Sequence, residues 1–226
     1  MTISFILISY VYTMVVHFTA ALFTAYIVYT AKPWAVSALF PWHPVLMTVS
    51  FALLMFEAIT VFSAHSSFIP LASRPYKAKV HWILQTLAAA FGGAGFAVIF
   101  VSKNLNHKQH FVTWHGIFGL ITIIYVAVQC LAGTVVMNPA WIQSIKLAQL
   151  KLYHATSGLC LYTLACTTLV LGLYSNWFMR NVRGTSWYAC MGVVAILILA
   201  VMNQIVTAYQ TKQQITKQNA TKSWKK

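Results

Sequence analysis

The chain has almost no acid. Its 226 residues include a single acidic residue, Glu57, against 15 Lys and Arg, for a formal net charge of +14. So few carboxylates weaken any carboxylate-built metal site. Charge of either sign is scarce. Only 7% of residues are charged, where soluble domains carry about 25%, so a water-facing globule would lack polar surface. The basic excess does not describe a nucleic-acid binder, because the cations form short groups between long apolar runs. Cysteine is sparse too. Cys130, Cys160, Cys166 and Cys190 form no Cys-x-x-Cys pair, which excludes a disulfide scaffold. All four read as free thiols packed as small hydrophobes.

What is abundant is apolar: 60% of residues are hydrophobic, which excludes disorder. A helix needs about 20 apolar residues to cross a bilayer, and six stretches qualify, near 4–29, 42–63, 80–102, 114–136, 152–175 and 187–209. The expected fold is all-α, a six-helix, multi-pass integral membrane protein. Residues 1–209 form the six-span domain and 210–226 a polar, basic, frayed or disordered tail. No cation precedes the first span, and its apolar run is too long for a signal-peptide core, so it reads as a retained helix.

Basic residues set the orientation. With the N-terminus cytoplasmic, inside segments hold Arg74, Lys77, Lys79, Lys146, Lys151 and tail lysines 212, 217, 222, 225 and 226, against Lys32, Lys103, Lys108, Arg180 and Arg183 outside. Ten against five favours both termini in the cytoplasm.

Histidine carries the chemistry. Four of the eight histidines lie about one turn inside a helix start, beside an aromatic residue: Trp42–His43, His81–Trp82, Trp114–His115 and Tyr153–His154. Trp and Tyr favour the membrane interface. Alternating helix direction then sorts His43 and His115 to the outer face and His81 and His154 to the cytoplasmic face. Two opposed neutral imidazoles are the axial set of a six-coordinate haem iron, so two pairs point to two haems. No Cys-x-x-Cys-His occurs, so the haems are non-covalent, of b type. A zinc or copper site would want a third or fourth ligand, and no cysteine lies within a turn of these histidines.

Glycine spacing supports this. Gly119 and Gly133 follow His115 at +4 and +18, and Gly158 and Gly172 follow His154 at the same offsets. Both offsets lie on the histidine's own helical face. The +4 glycine would leave room for a flat macrocycle. The +18 glycine would sit about 27 Å along, near the level of the opposite haem.

The segments Trp42-His43-Pro44-Val45-Leu46-Met47, Lys79-Val80-His81-Trp82, His115-Gly116 and Lys151-Leu152-Tyr153-His154-Ala155-Thr156-Ser157-Gly158 resemble the cytochrome b561 family. They look closest to its short stand-alone, tumour-suppressor-type members. The resemblance implies a four-helix core, helices 2–5, binding two b haems. It implies one-electron transfer from cytosolic ascorbate to monodehydroascorbate or a ferric chelate, that is, an ascorbate-dependent transmembrane reductase. It also implies an endomembrane setting (endoplasmic reticulum or vesicle) and a homodimer. Vesicular members close helix two with a basic-aromatic stretch linked to ascorbate; here the residues are Ile59-Thr60-Val61-Phe62-Ser63, with no cation.

Ascorbate is a monoanion, so Arg74, Lys77, Lys79 and Lys151 are candidate docking cations near the inner pair. They could equally meet haem propionates or serve only as positive-inside signal. His107 and His110, with Lys103 and Lys108, are candidates for the outer acceptor, and solvated loop histidines are the plain alternative. Glu57, 14 residues after His43, is expected nearly on the same face and about 21 Å deeper, paired with Lys77 or Lys79 or accepting a proton. His17 is expected to be a hydrogen-bonded packing residue with no obvious partner. His65 has no assigned role. Asn203 and Gln204 need hydrogen-bond partners on neighbouring helices. The rivals are a haem-bearing anchor subunit of another redox complex, a His-lined metal transporter and a non-catalytic scaffold.

Overall fold

The computed structural model describes the backbone of residues 3–35, 37–63 and 66–223, and within these the side chains from Val11 to Thr207. The helices are α1 (Ile3–Ala31), α2 (Trp42–Thr60), α3 (Arg74–Leu105), α4 (Trp114–Met137), α5 (Leu147–Leu173), the short α6 (Asn176–Asn181) and α7 (Thr185–Ser223). All but α6 are long and apolar enough to span a membrane. The protein is thus an all-α, six-span integral membrane protein.

Local chemistry explains the boundaries. α3 begins at Arg74, before the apolar run, because Ser73 Oγ accepts from the Tyr76 N–H and Pro75 occupies the first turn. Lys77 and Lys79 therefore ride on a helix. Thr113 Oγ1 caps α4 through the Gly116 N–H, and Ser175 Oγ caps α6 through the Phe178 N–H. α6 was not expected: its six residues are too few for an apolar period to show. The chain from 210 onward was expected to fray, yet α7 runs unbroken to Ser223, since Gln, Lys and Ala are good helix formers.

α2 is not uniform. Its middle, Val49–Met55, is wound as a π-helix. Each i→i+5 turn holds more residues than an α-turn. Residues below it therefore fall behind the α-helical register. Ser50, inside this segment, donates its Oγ–H to Ala88 O of α3 at 2.7 Å.

Helices α2 to α5 form a four-helix arrangement with α2 beside α3, α3 beside α4, α4 beside α5 and α5 closing onto the π segment of α2. The pairs α2/α4 and α3/α5 are the diagonals. α1 packs on α2 and α7, and α7 packs on α5, α1 and the end of α2. The buried apolar core lies off-centre. It is built from Val16, Ala20 and Phe23 of α1, Phe51, Ala52 and Phe56 of α2, Leu161, Tyr162 and Ala165 of α5, and Val194, Leu197 and Val201 of α7. α3 and α4 bury little side-chain surface. Cys166 and Cys190 are buried, as expected of small hydrophobes, whereas Cys130 and Cys160 face outward, and all four are free thiols.

Candidate functional site: two imidazole pairs across the bundle

The four helix-start histidines meet in two pairs, each across a diagonal. The His43 and His115 rings have centroids 6.0 Å apart with planes at 80°. The His81 and His154 rings have centroids 6.3 Å apart with planes at 83°. A first-row metal sits about 2.0–2.1 Å from an imidazole nitrogen and the nitrogen about 1.1 Å from its ring centroid, so two trans imidazoles on one ion place their centroids about 6.3 Å apart. Both separations fit a shared axial metal. Among the described residues no group of three or more His, Cys, Asp or Glu converges on a metal-sized site. Two facing imidazoles suit haem iron and fall short of the three or four ligands that zinc or copper wants.

Three of the four rings are anchored through Nδ1 to the backbone of a neighbouring helix. His43 Nδ1–H donates to Gly95 O of α3 at 3.0 Å, His81 Nδ1–H to Ala58 O of α2 at 2.7 Å, and His115 Nδ1–H to Thr168 O of α5 at 3.1 Å. A carbonyl can only accept, so the Nδ1 of each carries the proton and Nε2 is the free lone pair. Ala58 O is available because the Phe62 N–H turns to Ile59 O as α2 ends. His154 differs: its Nδ1 is buried without a hydrogen-bond partner.

The +18 glycines act at close quarters. A Cβ on Gly172 would lie 3.2 Å from His115 Cε1, and one on Gly133 would lie 3.3 Å from His154 Cε1. α4 and α5 are antiparallel neighbours, so each helix's glycine admits the other helix's imidazole. The +4 glycines divide. Gly119 lines an open cavity, with Thr168 Cγ2 the nearest atom to its would-be Cβ at 3.7 Å. At Gly158 the expected room is filled, because a Cβ would strike Gln129 Nε2 at 3.0 Å. Gln129 Nε2–H donates to His154 O at 2.7 Å, and its Oε1 accepts from Ser157 Oγ at 3.0 Å. The Tyr125 hydroxyl joins Ser157. This polar knot was not read from sequence, where an isolated Gln in an apolar run gives no hint of its partner.

A cavity of about 250 Å³ opens beside His43 and His115. Its walls include Phe40, Pro44, Phe96, Phe100, Phe111, Gly119, Gly172 and Phe178, with Lys103 and His110 as polar lining residues. His110 is fixed: Nε2 bonds Asn104 Oδ1 at 2.7 Å and the ring stacks on Phe100 at 4.3 Å. Lys103 Nζ donates to Gln109 O at 2.8 Å. Phe111 adopts φ 54°, unusual for a bulky residue, and stacks on Phe96. His107 and Lys108 are exposed, and His107 is not among the residues lining the cavity.

At the other end, Lys77 precedes His81 by one turn and Lys151 precedes His154 by one turn. The His81–His154 contact places both turns at the same end of the bundle. Arg74, Lys79 and Lys151 are exposed and Lys77 half-buried. Glu57 pairs with neither of its expected partners, Lys77 and Lys79; its Oε1 lies 2.7 Å from His17 Nδ1. The π segment accounts for this, since its wide turns rotate Glu57 off the His43 face and towards α1. His17, for which no partner was foreseen, also bonds Ser66 O through Nε2 at 2.8 Å. Gln204 Nε2–H donates to Ile59 O at 3.0 Å, and Asn203 bonds Tyr12 of α1. His65 lies outside the described residues.

A six-span helical protein with an imidazole pair across each diagonal of its inner bundle has the frame of a membrane b-type cytochrome. The sequence comparisons agree. A model of the family "Eukaryotic cytochrome b561" matches residues 42–179, α2 to α6. The chain is 40% identical over 199 residues to Bos taurus transmembrane reductase CYB561D2, covering 88% of this chain and 89% of that protein. It is 35% identical over 199 residues to Mus musculus probable transmembrane reductase CYB561D1, covering 88% and 86%. It is 27% identical over 153 residues to Mus musculus lysosomal membrane ascorbate-dependent ferrireductase CYB561A3, covering 68% and 62%. The chain belongs to the eukaryotic cytochrome b561 family, in the stand-alone group of transmembrane reductases, and is a haem-binding transmembrane oxidoreductase.

Proposed function

We propose that the protein carries single electrons from cytosolic ascorbate across the membrane to monodehydroascorbate or a ferric chelate, using two non-covalent b haems. The observation that carries this reading is the two diagonal imidazole pairs at metal-bridging separation. His43 and His115 would hold the outer haem, and His81 and His154 the inner one. When bound, haem supplies the one-electron carrier that no side chain here can provide.

The residues of the chain do the rest. The imidazoles of His43, His115, His81 and His154 would hold the irons through Nε2. The three Nδ1–carbonyl bonds fix tautomer and ring orientation. Gly133 and Gly172 let the imidazoles lie close to the neighbouring backbone. Inside, Lys77 and Lys151, with Arg74 and Lys79, supply positive charge for an anionic donor. Outside, Lys103 and His110 present a cationic and a hydrogen-bonding group at the cavity beside His43 and His115, where an anionic acceptor would meet the outer haem. Both termini then lie in the cytoplasm, and the membrane is an endomembrane. Ascorbate and ferric iron as reactants draw support from the named activity of the lysosomal relative.

The test is a reduced-minus-oxidised visible spectrum of purified protein with haem counted per chain. Two haems reducible by ascorbate support the reading. A colourless protein ends it. Haem that ascorbate leaves oxidised favours an anchor subunit fed by another partner.

A further inference from the structure

The one acid in the chain has no part in the electron path described above. Glu57 sits in the last turns of α2 with Oε1 2.7 Å from His17 Nδ1 of α1. His17 Nε2 lies 2.8 Å from the Ser66 carbonyl oxygen. That carbonyl can only accept, so Nε2 carries a proton. The short Nδ1–Oε1 contact then requires one more proton between them, on the imidazole or on the carboxyl. In either arrangement the pair has no net charge. Phe56 and Phe68 flank the His17 ring, with centroids 5.9 and 6.0 Å away, so the surroundings are apolar and disfavour an isolated ion.

The location gives the pair its consequence. The residue after Glu57 is Ala58, whose carbonyl receives the His81 Nδ1–H at 2.7 Å. The same turn is tied to α7 by Gln204 and to the following loop by Ser67 Oγ donating to Val61 O at 2.8 Å. The outer pair has no such arrangement. Its acceptors, Gly95 and Thr168, lie inside core helices. The outermost helices α1 and α7 thus converge on the turn that orients the inner imidazole. Of the titratable groups facing the pair, Tyr162 of α5 is close enough to Glu57 to feel its charge. His81 of α3 faces it through Ala58, and α7 contributes the amide Gln204, which does not titrate.

We propose that His17 and Glu57 form a one-proton, electroneutral clamp that positions the last turn of α2 behind His81 and keeps the single carboxyl from standing as an uncompensated charge beside the inner haem. His17 and Glu57 are positioning residues: they act through Ala58 and touch neither haem nor substrate. The inference rests on the two-haem reading of the histidines.

The experiment is a redox titration of the haem-loaded protein at several pH values between 5.5 and 8, following the inner and outer spectral components separately. The inner component is the one lost in H81A. Wild-type protein should show an inner midpoint potential that is flat with pH. E57Q keeps the pair neutral and its shape hydrogen-bonded, so its inner midpoint should stay with wild type. H17Q leaves a carboxyl without its imidazole. An ordinary carboxyl has lost its proton well below pH 5.5, and a negative charge stabilises the oxidised iron. The inner midpoint should therefore fall across the whole pH range, while the outer component stays put. The double variant H17Q/E57Q should bring the inner midpoint back. If the wild-type inner midpoint already slopes and E57Q flattens it, the pair is a redox-linked proton acceptor and the clamp is overturned. If H17Q shifts neither component, or both equally, the clamp is also overturned. If no component disappears in H81A, the two-haem reading itself fails, and the clamp with it.

Discussion

Replacing Gly172 or Gly133 by alanine should damage one haem site at a time. A Cβ on Gly172 would sit 3.2 Å from His115 Cε1 and 3.4 Å from its Nδ1, inside the optimal carbon contact of about 3.5–4.0 Å. His115 cannot swing away freely. Its Nδ1 is bonded to Thr168 O, one turn earlier on the helix that carries Gly172. A shift of a few tenths of an ångström must therefore lengthen that bond or tilt Nε2, and metal ligation tolerates only about ±0.2 Å. Overpacking of this kind costs about 1–3 kcal/mol, so haem retention at the outer pair should weaken about 5- to 150-fold. At Gly133 the nearest atom is His154 Cε1 at 3.3 Å, with Nε2 at 3.9 and Nδ1 at 4.0 Å. Because His154 Nδ1 has no partner to lose, the ring can turn and the loss should be smaller. Gly93 is the control, since a Cβ there meets nothing within 4 Å. G93A should retain both haems, and its helix should gain about 1 kcal/mol in propensity. The assay is haem per chain and the two-component redox spectrum of each variant, with thermal melting measured alongside. Loss of the same component in G172A and G133A, or full retention of both haems in G172L, would refute the reasoning.

Further outcomes follow from the same contacts. H43A and H115A should each remove the same spectral component, and H81A and H154A the other, with haem per chain falling from two towards one. K77Q with K151Q should raise the ascorbate concentration for half-reduction of the haems without removing haem; an unchanged half-saturation would assign these lysines to the orientation signal alone. Alanine at Gly158 should displace Gln129 from His154 O, where its would-be Cβ lies 3.0 Å from Gln129 Nε2, and lower the melting temperature of the protein while the outer component keeps its midpoint.

The six spans were legible because a bilayer imposes one simple requirement, about 20 apolar residues per crossing. That requirement says nothing about polar helix ends. α3 therefore starts at Arg74 rather than near 80, driven by the Ser73 cap, and α7 continues to Ser223 on helix propensity alone. The pairing of His43 with His115 and of His81 with His154 was also legible, since alternating helix direction sorts the four rings by depth. The partner of Glu57 was not. Its position followed from 3.6-residue turns, and the π segment at Val49–Met55 breaks that count. No residue type in Val49–Met55 announces a π-helix, so a lone carboxyl and a lone mid-span histidine, 40 residues apart, gave no sign that they meet.

The glycine repeat shows how one spacing can serve two sites. His and Gly stand 18 residues apart on α4 and again on α5, five α-helical turns and about 27 Å. On one helix alone the spacing only puts both residues on one face. On antiparallel neighbours it sets each histidine against the other helix's glycine, which is the contact seen at Gly172–His115 and Gly133–His154. The same interval therefore fixes both the clearance for each imidazole and the separation between the two levels. A one-residue deletion between His115 and Gly133 would rotate Gly133 about 100° away from His154 and leave Gly172 against His115. The inner pair should be lost and the outer one kept. A deletion that abolished both would show that the helices slide as rigid rods, and that the glycine contacts do not set the register.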